Sequence, residues 1–127
     1  MVRTLERARR AARKAQEATY EGICSVIEYH DERDEETRLT RQREVTVIRD
    51  QPCRLSFEKV AAASQTETAA AVFQGVKLFL APEVRIPAGS KIIVTQNQVT
   101  GEYRSSGEPA VYATHQEIPL ELYERWA

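Results

Sequence analysis

The stretch TYEGICSVIEYHDERDEETRLTRQREVTVI, residues Thr19–Ile48, decides the fold class of this chain. In its first third the residues alternate between two faces, and this period of two predicts a β-strand over about Tyr20–Tyr29. At its end, Val45–Ile48 alternate in the same way and predict a second strand, which Asp50–Pro52 would end. The two strands predict an antiparallel hairpin whose connection is much longer than usual hairpin loops.

The connection between these strands, His30–Arg43, is almost entirely charged. Its acids come before most of its arginines, in the order Asp31, Glu32, Arg33, Asp34, Glu35, Glu36, Arg38, Arg41 and Arg43. Clustered acids can bind Ca²⁺, but the spacing of a calcium loop and its glycine are missing. Two interpretations therefore remain, a solvated mobile loop and a hairpin arm whose limbs pair with each other or with the same arm on a neighbouring copy.

The middle of the chain continues the β pattern. GVKLFLAP, residues 75–82, alternates until Pro82 and predicts a strand, and IPAGSKIIVTQNQVTGEYR, residues 86–104, predicts a turn, a strand, a tight turn and a strand. Asn97 tolerates the positive φ that the tight turn requires. Between Leu55 and Ala71 the pattern leaves both a short helix and a loop open.

The last segment, AVYATHQEIPLELYERW, alternates at Ile118, Leu120 and Leu122 and predicts one more strand. Pro119 lies inside this run, which fits an edge strand or a bulge better than the centre of a sheet. Several short strands separated by turns predict a mainly β chain, built as a small barrel or sandwich with a long hairpin loop. We expect an N-terminal α-helix over residues 1–18 and a single barrel-like domain over residues 19–127.

The N-terminal segment TLERARRAARKAQEA, residues Thr4–Ala18, predicts a basic helix with Thr4 as its cap. Its apolar stripe is mostly alanine, and the rest is dominated by Arg3, Arg7, Arg9, Arg10, Arg13 and Lys14. A helix with so little to bury is expected to pack loosely on its own domain. It can dock on an acidic protein surface or lie along a nucleic-acid backbone, and the lack of aromatic residues for stacking bases favours docking on protein.

The sequence offers no catalytic or metal-binding constellation, and we expect neither an enzyme nor a cofactor. The fragment Gly89–Lys91 lacks the upstream glycine spacing of a phosphate-binding loop. His115 and Glu117 supply two ligands where a metal needs three or four, so a hydrogen-bonded structural histidine is expected; a small enzyme using both residues and Tyr112 is the rival interpretation. Cys24 and Cys53 have no CxxC spacing and are expected to behave as small reduced hydrophobes.

Composition narrows the remaining classes of function. Hydrophobic residues make up 42% of the 127 residues and charged residues 29%, with a formal net charge of −1. These values are ordinary for a folded domain and give no overall attraction to nucleic acid or membrane. No apolar run reaches the length of a membrane span and the N-terminus lacks an apolar signal core, so the sequence predicts a protein made and kept in the cytoplasm, with no membrane partner.

Two segments carry a resemblance to a known family. They are VKLFLAPEVRIPAGSKIIV (Val76–Val94) and GEYRSSGEPAVYATHQEIPLELYE (Gly101–Glu124), together with the long connection between the first two strands. The chain thereby resembles the head-closure, or stopper, proteins of long-tailed bacteriophages over about Gly22–Glu124. The matching features are a proline turn followed by Gly89–Ile92, the aromatic strand residue Tyr103, Pro109, and the sequence Tyr112–Glu117.

The resemblance implies a structural role in the virion. Copies would form a six- or twelve-fold ring that joins the portal and its adaptor to a tail-completion or tail-tube protein, after assembly in the host cytoplasm. The loop His30–Arg43 would point into the channel that holds packaged DNA and act as a gate. Apart from the resemblance, the loosely packed helix and the expected edge near Pro119 are the natural surfaces for docking on partners, with Arg3, Arg7, Arg10, Arg13, Lys14, Pro119, Tyr123 and Trp126 as the candidate residues. The alternatives are a nucleic-acid-binding barrel that uses the basic helix, and a neighbouring neck or tail-completion protein.

Overall fold

The computed structural model describes residues 2–61 and 72–124. Its elements are α1 (Val2–Glu17), β1 (Gly22–Arg33), β2 (Thr40–Ala61), β3 (Val72–Leu80), β4 (Lys91–Gln96), β5 (Val99–Ser105), β6 (Ala110–Val111) and β7 (Gln116–Leu122). The prediction of a mainly β chain with an N-terminal helix is therefore confirmed. The helix begins at Val2, so Thr4 lies inside its first turn and the prediction of Thr4 as its cap is wrong.

The seven strands form one antiparallel sheet that closes on itself. Along the sheet the order is β3-β2-β1-β4-β5-β7-β6, and an additional pairing of β3 with β7 completes a circuit of β1, β2, β3, β7, β5 and β4. The short strand β6 pairs with the start of β7 on the side opposite β3, where it follows β5. Closure removes most free edges of the sheet, although two hairpins extend beyond it, so the barrel is ring-like but irregular.

The core lies inside the circuit and uses the alternation read from the sequence. Leu78 and Leu80 on β3 and Ile92 and Val94 on β4 have no exposed side-chain surface. The two free cysteines, Cys24 and Cys53, are buried among them, as predicted, together with Val26, Leu55, Tyr103, Ile118 and Leu120. A hydrogen bond with Cys24, together with burial, raises the pKa of Cys53, so its thiol stays protonated and apolar in character.

The first hairpin is longer and more regular than the sequence indicates. β1 continues to Arg33 and β2 begins at Thr40, so most of the predicted loop forms a paired ladder and only Asp34–Leu39 turns the chain. The prediction that Asp50–Pro52 ends the second strand is also wrong. Pro52 pairs with β1 on one side, and the pairing of β2 with β3 starts only at the next residue, so the missing N–H falls on a local edge.

A β-bulge interrupts the regular pairing of β1 with β2 near Asp50. Asp50 has φ of 51°, and the register between β1 and β2 shifts between Cys24 and Val26. The hydroxyl oxygen of Ser25 accepts the Asp50 N–H at 3.5 Å. A residue with positive φ beside a register shift is typical of a β-bulge, which bends one strand and increases its twist. The bulge therefore allows one strand to serve both the barrel and the hairpin beyond it.

The segment after Leu55, where the sequence left a helix and a loop open, continues as β2 to Ala61. It pairs with β3 from Cys53↔Leu80 to Ala61↔Val72. The remainder of the segment, residues 62–71, lies outside the described residues. β2 thus pairs first with β1 and then with β3. The two hairpins use opposite ends of this long strand, which rises about 3.3 Å per residue, so they leave the barrel toward opposite ends.

Pro119 lies within the closed circuit, so the prediction of an edge strand is wrong. It pairs with Lys77 of β3 on one side, while on the other side its carbonyl accepts the Ser106 N–H at 2.8 Å. Because N and O of one residue point to the same side of an extended strand, the proline nitrogen also faces Ser106 and takes nothing from the ladder with β3. The strand that pairs with β7 on this side is interrupted there, between β5 and β6, so the irregularity lies in that strand and not in β7.

Candidate functional site

The first candidate surface is the hairpin that extends beyond the barrel, which we call the hairpin arm (Glu28–Val45). β1 pairs with β4 only from Ile23 to Ile27, and the residues that follow pair with β2 alone. The ladder from Glu28↔Val45 to Arg33↔Thr40 spans about 20 Å at the usual rise of a strand. The charged segment is therefore a two-stranded projection and not an open loop.

Local hydrogen bonds close the tip of the arm. The Asp34 N–H donates to the Leu39 carbonyl at 2.9 Å, and the Arg38 N–H donates to the Asp34 carbonyl at 2.7 Å. A side-chain oxygen of Asp34 accepts the Glu36 N–H at 2.9 Å, which is typical of a turn begun by aspartate. Arg38 completes the turn with φ of 58°. The sequence around Asp34 thus fixes where the two limbs meet.

Opposite charges face each other along the limbs. Arg43 donates a hydrogen bond to Glu32 at 3.3 Å. Both side chains are more than half exposed, so this ion pair contributes about 0–1 kcal/mol to folding stability. Near the tip, charged side chains of both signs line a cavity of 350 Å³, formed by Glu32, Arg33, Asp34, Glu35 and Arg41. The arm presents mostly charged side chains to solvent, together with two exposed apolar ones, Leu39 at 61% and Tyr29 at 39%.

The base of the arm is tied to the barrel through Lys91. The Lys91 ammonium donates to Glu44 of the arm at 2.9 Å and lies 4.8 Å from the ring centre of Tyr123. The Lys91 side chain is only 12% exposed, and the bond to Glu44 raises its pKa. Glu44 itself is 45% exposed, so this ion pair joins the base of the arm to the barrel at a partly solvated position.

The second candidate surface is α1, of which no residue is buried. Its residues Val2–Ala12 are all exposed, and one row along it is cationic: Arg3, Arg7, Arg10 and Lys14. These four positions are three or four residues apart, a spacing that places them on one face of a helix. Both the cationic row and the apolar stripe of α1 therefore face solvent in the isolated chain.

One ion pair anchors the C-terminal part of α1. Arg13 forms a two-pronged contact with Glu83, one of its bonds measuring 2.9 Å, and also donates to Glu17 at 3.1 Å. The Arg13 guanidinium lowers the pKa of Glu83. The loop that carries Glu83 is itself held by Gln116, a buried side chain whose amide donates to the carbonyls of Ala81 at 2.8 Å and Val84 at 2.5 Å. Within residues 2–61 and 72–124, the Arg13–Glu83 ion pair thus joins the helix to the barrel near the half-buried end of α1.

Replacing Glu83 with glutamine is expected to release α1 while the barrel stays folded. The ion pair is largely exposed, so we expect a loss of about 1 kcal/mol or less in the free energy of unfolding. Hydrogen exchange at the amides of residues 13–20 should accelerate about tenfold or less, since 1.4 kcal/mol corresponds to tenfold. Glu6→Gln, on the exposed part of the same helix, is the matched control and should change neither quantity.

Acidification should have the same effect as the Glu83 substitution. A carboxyl with a lowered pKa contributes stability above its ordinary pKa of 4.5, and this contribution is lost as the pH falls through the lowered pKa. We therefore expect the attachment of α1 to weaken progressively as the pH falls below 4.5 and to be lost below the lowered pKa of Glu83. Amide exchange in α1 that is equally slow at pH 3 and pH 7, after correction for intrinsic rates, would contradict this attachment.

His115 is packed and hydrogen-bonded, as predicted. Its ring stacks between Tyr112 and Phe79, with ring centres 5.0 and 5.4 Å away, and its two nitrogens contact Thr114 at 2.9 Å and Glu117 at 2.8 Å. Lys77 lies 3.8 Å from the other carboxylate oxygen of Glu117. The side chains that a small enzyme would need are thus brought together, but as a stack in which His115 is 14% exposed.

Replacing His115 with alanine is expected to cost about 1–3 kcal/mol of folding stability, because two ring contacts and two hydrogen bonds are lost. Chemical denaturation measures this loss. His30→Ala is the matched control, since the His30 side chain is 51% exposed, and should change stability by about 0.5 kcal/mol or less. A His115 variant as stable as the native chain would show that the stack does not hold this part of the barrel.

The structure separates the residues that the sequence grouped as docking positions. Arg13 is engaged with Glu83, whereas Pro119 lies inside the barrel wall and Tyr123 lies at the base of the arm beside Lys91. Trp126 lies outside the described residues. Sequence reasoning missed Glu83 and Lys91, because their partners are 70 and 47 positions away and no local pattern connects them.

Two further features of the described residues concern metal binding and membrane spans. Among the described residues, no group of three or more histidine, cysteine, aspartate or glutamate side chains is placed to hold a metal ion. No helix in residues 2–61 and 72–124 is both long and apolar enough to cross a membrane.

Comparison with known proteins yields one distant structural likeness. No family model matches the sequence, and no curated protein matches it either. The fold is similar to that of the phage-like element PBSX protein xkdH from Bacillus subtilis, over 79% of this chain and 91% of that chain, with a TM-score of 0.47 and 9% sequence identity. This likeness is compatible with a phage protein, but at that TM-score it carries no argument about fold or function.

Proposed function

We propose that this chain is a non-enzymatic subunit of a phage head–tail connector ring, of the head-closure or stopper type. In this role, copies join the portal–adaptor complex to the tail and help to seal the channel that holds packaged DNA. The proposal combines the sequence resemblance over about Gly22–Glu124 with the geometry of the hairpin arm. The observation that carries it is the charged two-stranded arm, which leaves a closed barrel and makes no contribution to the core.

The charge pattern of the arm suits a channel filled with DNA. An apolar projection of this length would promote aggregation before assembly, whereas a charged arm stays soluble. Acids near the tip, such as Asp34 and Glu35, repel phosphate groups, and arginines such as Arg33 and Arg41 can pair with acids of a neighbouring copy. Since several charges lie together at the tip, they can form a network, which stabilises more than isolated surface pairs do.

Deletion of the gene from the phage or prophage that encodes it tests the proposal. We expect packaged heads that lose their DNA and carry no tails, and we expect the native chain supplied in trans to restore both properties. Electron microscopy and nuclease protection of the packaged DNA measure the two effects. Complete particles that retain DNA without this chain would overturn the proposal.

A second candidate function is nucleic-acid binding through α1. The exposed row of Arg3, Arg7, Arg10 and Lys14 favours it, because four cations on one helix face can follow a phosphate backbone. This function requires that the isolated chain binds DNA in a titration. The logarithm of the binding constant should fall with the logarithm of the salt concentration, with a slope of roughly 0.9 per phosphate contacted. It also requires that binding survives deletion of residues 31–43 and fails when the four cations become glutamine.

A further inference from the structure

A pocket with proline walls lies at the end of the barrel where β7 begins. It forms between the loop that follows β3 and the short strand β6, and it has a volume of 600 Å³. Val84 and Ile86 of this loop pack against the core, whereas Val111 of β6 is 64% exposed. We call this site the proline pocket, and its lining consists mainly of Pro82, Val84, Ile86, Pro87, Pro109 and Val111.

The loop wall of the proline pocket is fastened from inside the protein. The buried amide of Gln116 donates to the carbonyls of Ala81 and Val84, and the Val84 N–H donates to the Ala81 carbonyl at 3.2 Å. Because these polar groups are satisfied within the wall, the wall is fixed before anything binds. The pocket is therefore preformed, and most of the surface that it offers is apolar.

The outer edge of β6 adds backbone hydrogen-bonding groups to this pocket. Just after β6, the Tyr112 N–H points toward β7 and donates to the His115 carbonyl at 2.8 Å. Successive residues of a strand point their backbone groups to opposite sides, so the N–H and carbonyl of Val111 point away from β7. Within residues 2–61 and 72–124, no backbone hydrogen bond fills this edge. An extended segment can therefore pair with Val111 while one of its side chains enters the pocket.

The undescribed residues of the same chain are too far away to fill the proline pocket. Glu124 lines a groove together with Leu122, at the end of β7 remote from the pocket. From Gln116 to Leu122 the strand spans about 20 Å, whereas Trp126 lies two residues beyond Glu124, or about 7 Å of extended backbone. Residues 62–71 join the far ends of β2 and β3, about 26 Å along β3 from the pocket, and a loop of ten residues that returns to the same end extends about 17 Å at most.

The segment after β7 of a second copy is the part of the chain that suits this pocket. The Tyr123 N–H donates to the Glu102 carbonyl at 3.0 Å, so the chain leaves β7 extended, as pairing with a strand edge requires. Three positions later comes Trp126, the only tryptophan of the chain. Tryptophan buries roughly 150–250 Å² of surface and is enriched among the residues that dominate interfaces. The exposed Leu5, by contrast, lies on a helix, which does not add to a strand edge.

We infer that the proline pocket receives Trp126 of a second copy of this chain, whose C-terminal segment pairs with the free edge of β6 at Val111. The contact joins opposite ends of β7 in the two copies, so it is heterologous and repeats head-to-tail, as the contacts of a closed ring do. The inference deepens the proposed function and rests on its claim that copies associate. It leaves the hairpin arm outside the contact and free to line the channel.

The single tryptophan gives a direct assay of this contact. Val111→Glu keeps Trp126 and places a charge in the pocket lining, whereas Trp126→Ala keeps the pocket and contains no tryptophan. When the second variant is added to the first, all tryptophan fluorescence comes from the copy that supplies the indole ring. We expect the emission to shift to shorter wavelength and to saturate as one-to-one dimers form, because each pair has one intact ring and one intact pocket.

Two double variants are the matched controls for this titration. Trp126→Ala with Val111→Glu has no intact pocket and should leave the emission unchanged. Trp126→Ala with Val99→Glu carries the same added charge at a 69% exposed position outside the pocket lining, and it should shift the emission as Trp126→Ala alone does. In sedimentation at up to about 1 mM, the native chain should form higher oligomers, and each single variant alone should associate at least about tenfold more weakly.

Three results would overturn the inference: a native chain that stays monomeric, an emission that does not shift on mixing, or a shift that persists when the pocket of the added copy carries Val111→Glu. Both single variants should keep the thermal midpoint of the native chain. A lower midpoint of Trp126→Ala would place the ring on its own barrel and would also overturn the inference.

The proposed function is tested separately by particle assembly in the deletion strain. A ring seen in particles with Trp126 away from the proline pocket would refute this contact and leave the function standing. Dimers in the mixing assay, together with complete particles in the deletion strain, would leave the contact standing and refute the function.

Discussion

Reversing Arg33, Arg38 and Arg41 to glutamate is expected to leave the isolated barrel folded and to abolish retention of packaged DNA. The three arginines belong to an arm that packs on none of the core, so the free energy of unfolding should change by about 1 kcal/mol or less. At the tip, however, the reversal replaces attraction by repulsion among Glu32, Asp34 and Glu35. In a ring, the same repulsion would act between every pair of neighbouring arms. Because like charges placed together across an interface cost several kcal/mol, we expect infectious particles to fall by about a hundredfold or more.

The matched control reverses three exposed arginines of the barrel, Arg49, Arg54 and Arg85, which gives the same change in net charge away from the arm. Complementation of a deletion strain, followed by counts of infectious particles and nuclease protection of DNA, measures both variants. If the arm variant retains DNA as well as the native chain does, the arm has no part in sealing the channel. If the two variants fail equally, the effect belongs to net charge.

Removing residues 3–16 is expected to prevent incorporation into particles while the barrel keeps its stability. No residue of α1 is buried and its anchor is a largely exposed ion pair, so we expect the thermal midpoint to fall by about 4 °C or less. Incorporation depends on the helix as a docking element, and losing a central contact of an interface commonly costs several kcal/mol. We therefore expect the truncated chain to be at least about tenfold depleted in purified particles.

A variant with Arg3, Arg7, Arg10 and Lys14 changed to glutamine is the control that keeps the helix and its apolar stripe. If it is incorporated normally while the truncated chain is not, docking depends on the stripe; if both fail, it depends on the cationic row. A large fall in the thermal midpoint of the truncated chain would instead show that α1 belongs to the folding unit of the barrel.

Local patterns in the sequence predicted the parts of the fold that depend on local interactions. Alternation at Leu78 and Leu80 placed β3 in the core, and Asn97 turned the chain with φ of 52° as expected. The same local reasoning failed at Pro52 and Pro119, which end strands in most contexts. Both are tolerated because the ladder is interrupted on the side that the proline nitrogen faces, and this depends on which strands become neighbours.

The sequence predicted which residues make up the candidate surfaces, but not the three-dimensional arrangement of those surfaces. The charges of residues 31–43 were plain in the sequence, but pairing of the two limbs is set by the register that begins at Ile27 inside the barrel. The attachment of α1 depends on Glu83, and the base of the arm is joined to the barrel by Lys91, each of which meets a partner far along the chain.

A density map of the assembled head–tail junction tests the central claim most directly, namely that the hairpin arm lines a shared channel. We predict that residues 30–43 of every copy point into the bore, with the arginines of one arm beside the acids of the next. A map in which these residues lie on the outer wall of the ring, away from the bore and from every sister copy, would contradict the account.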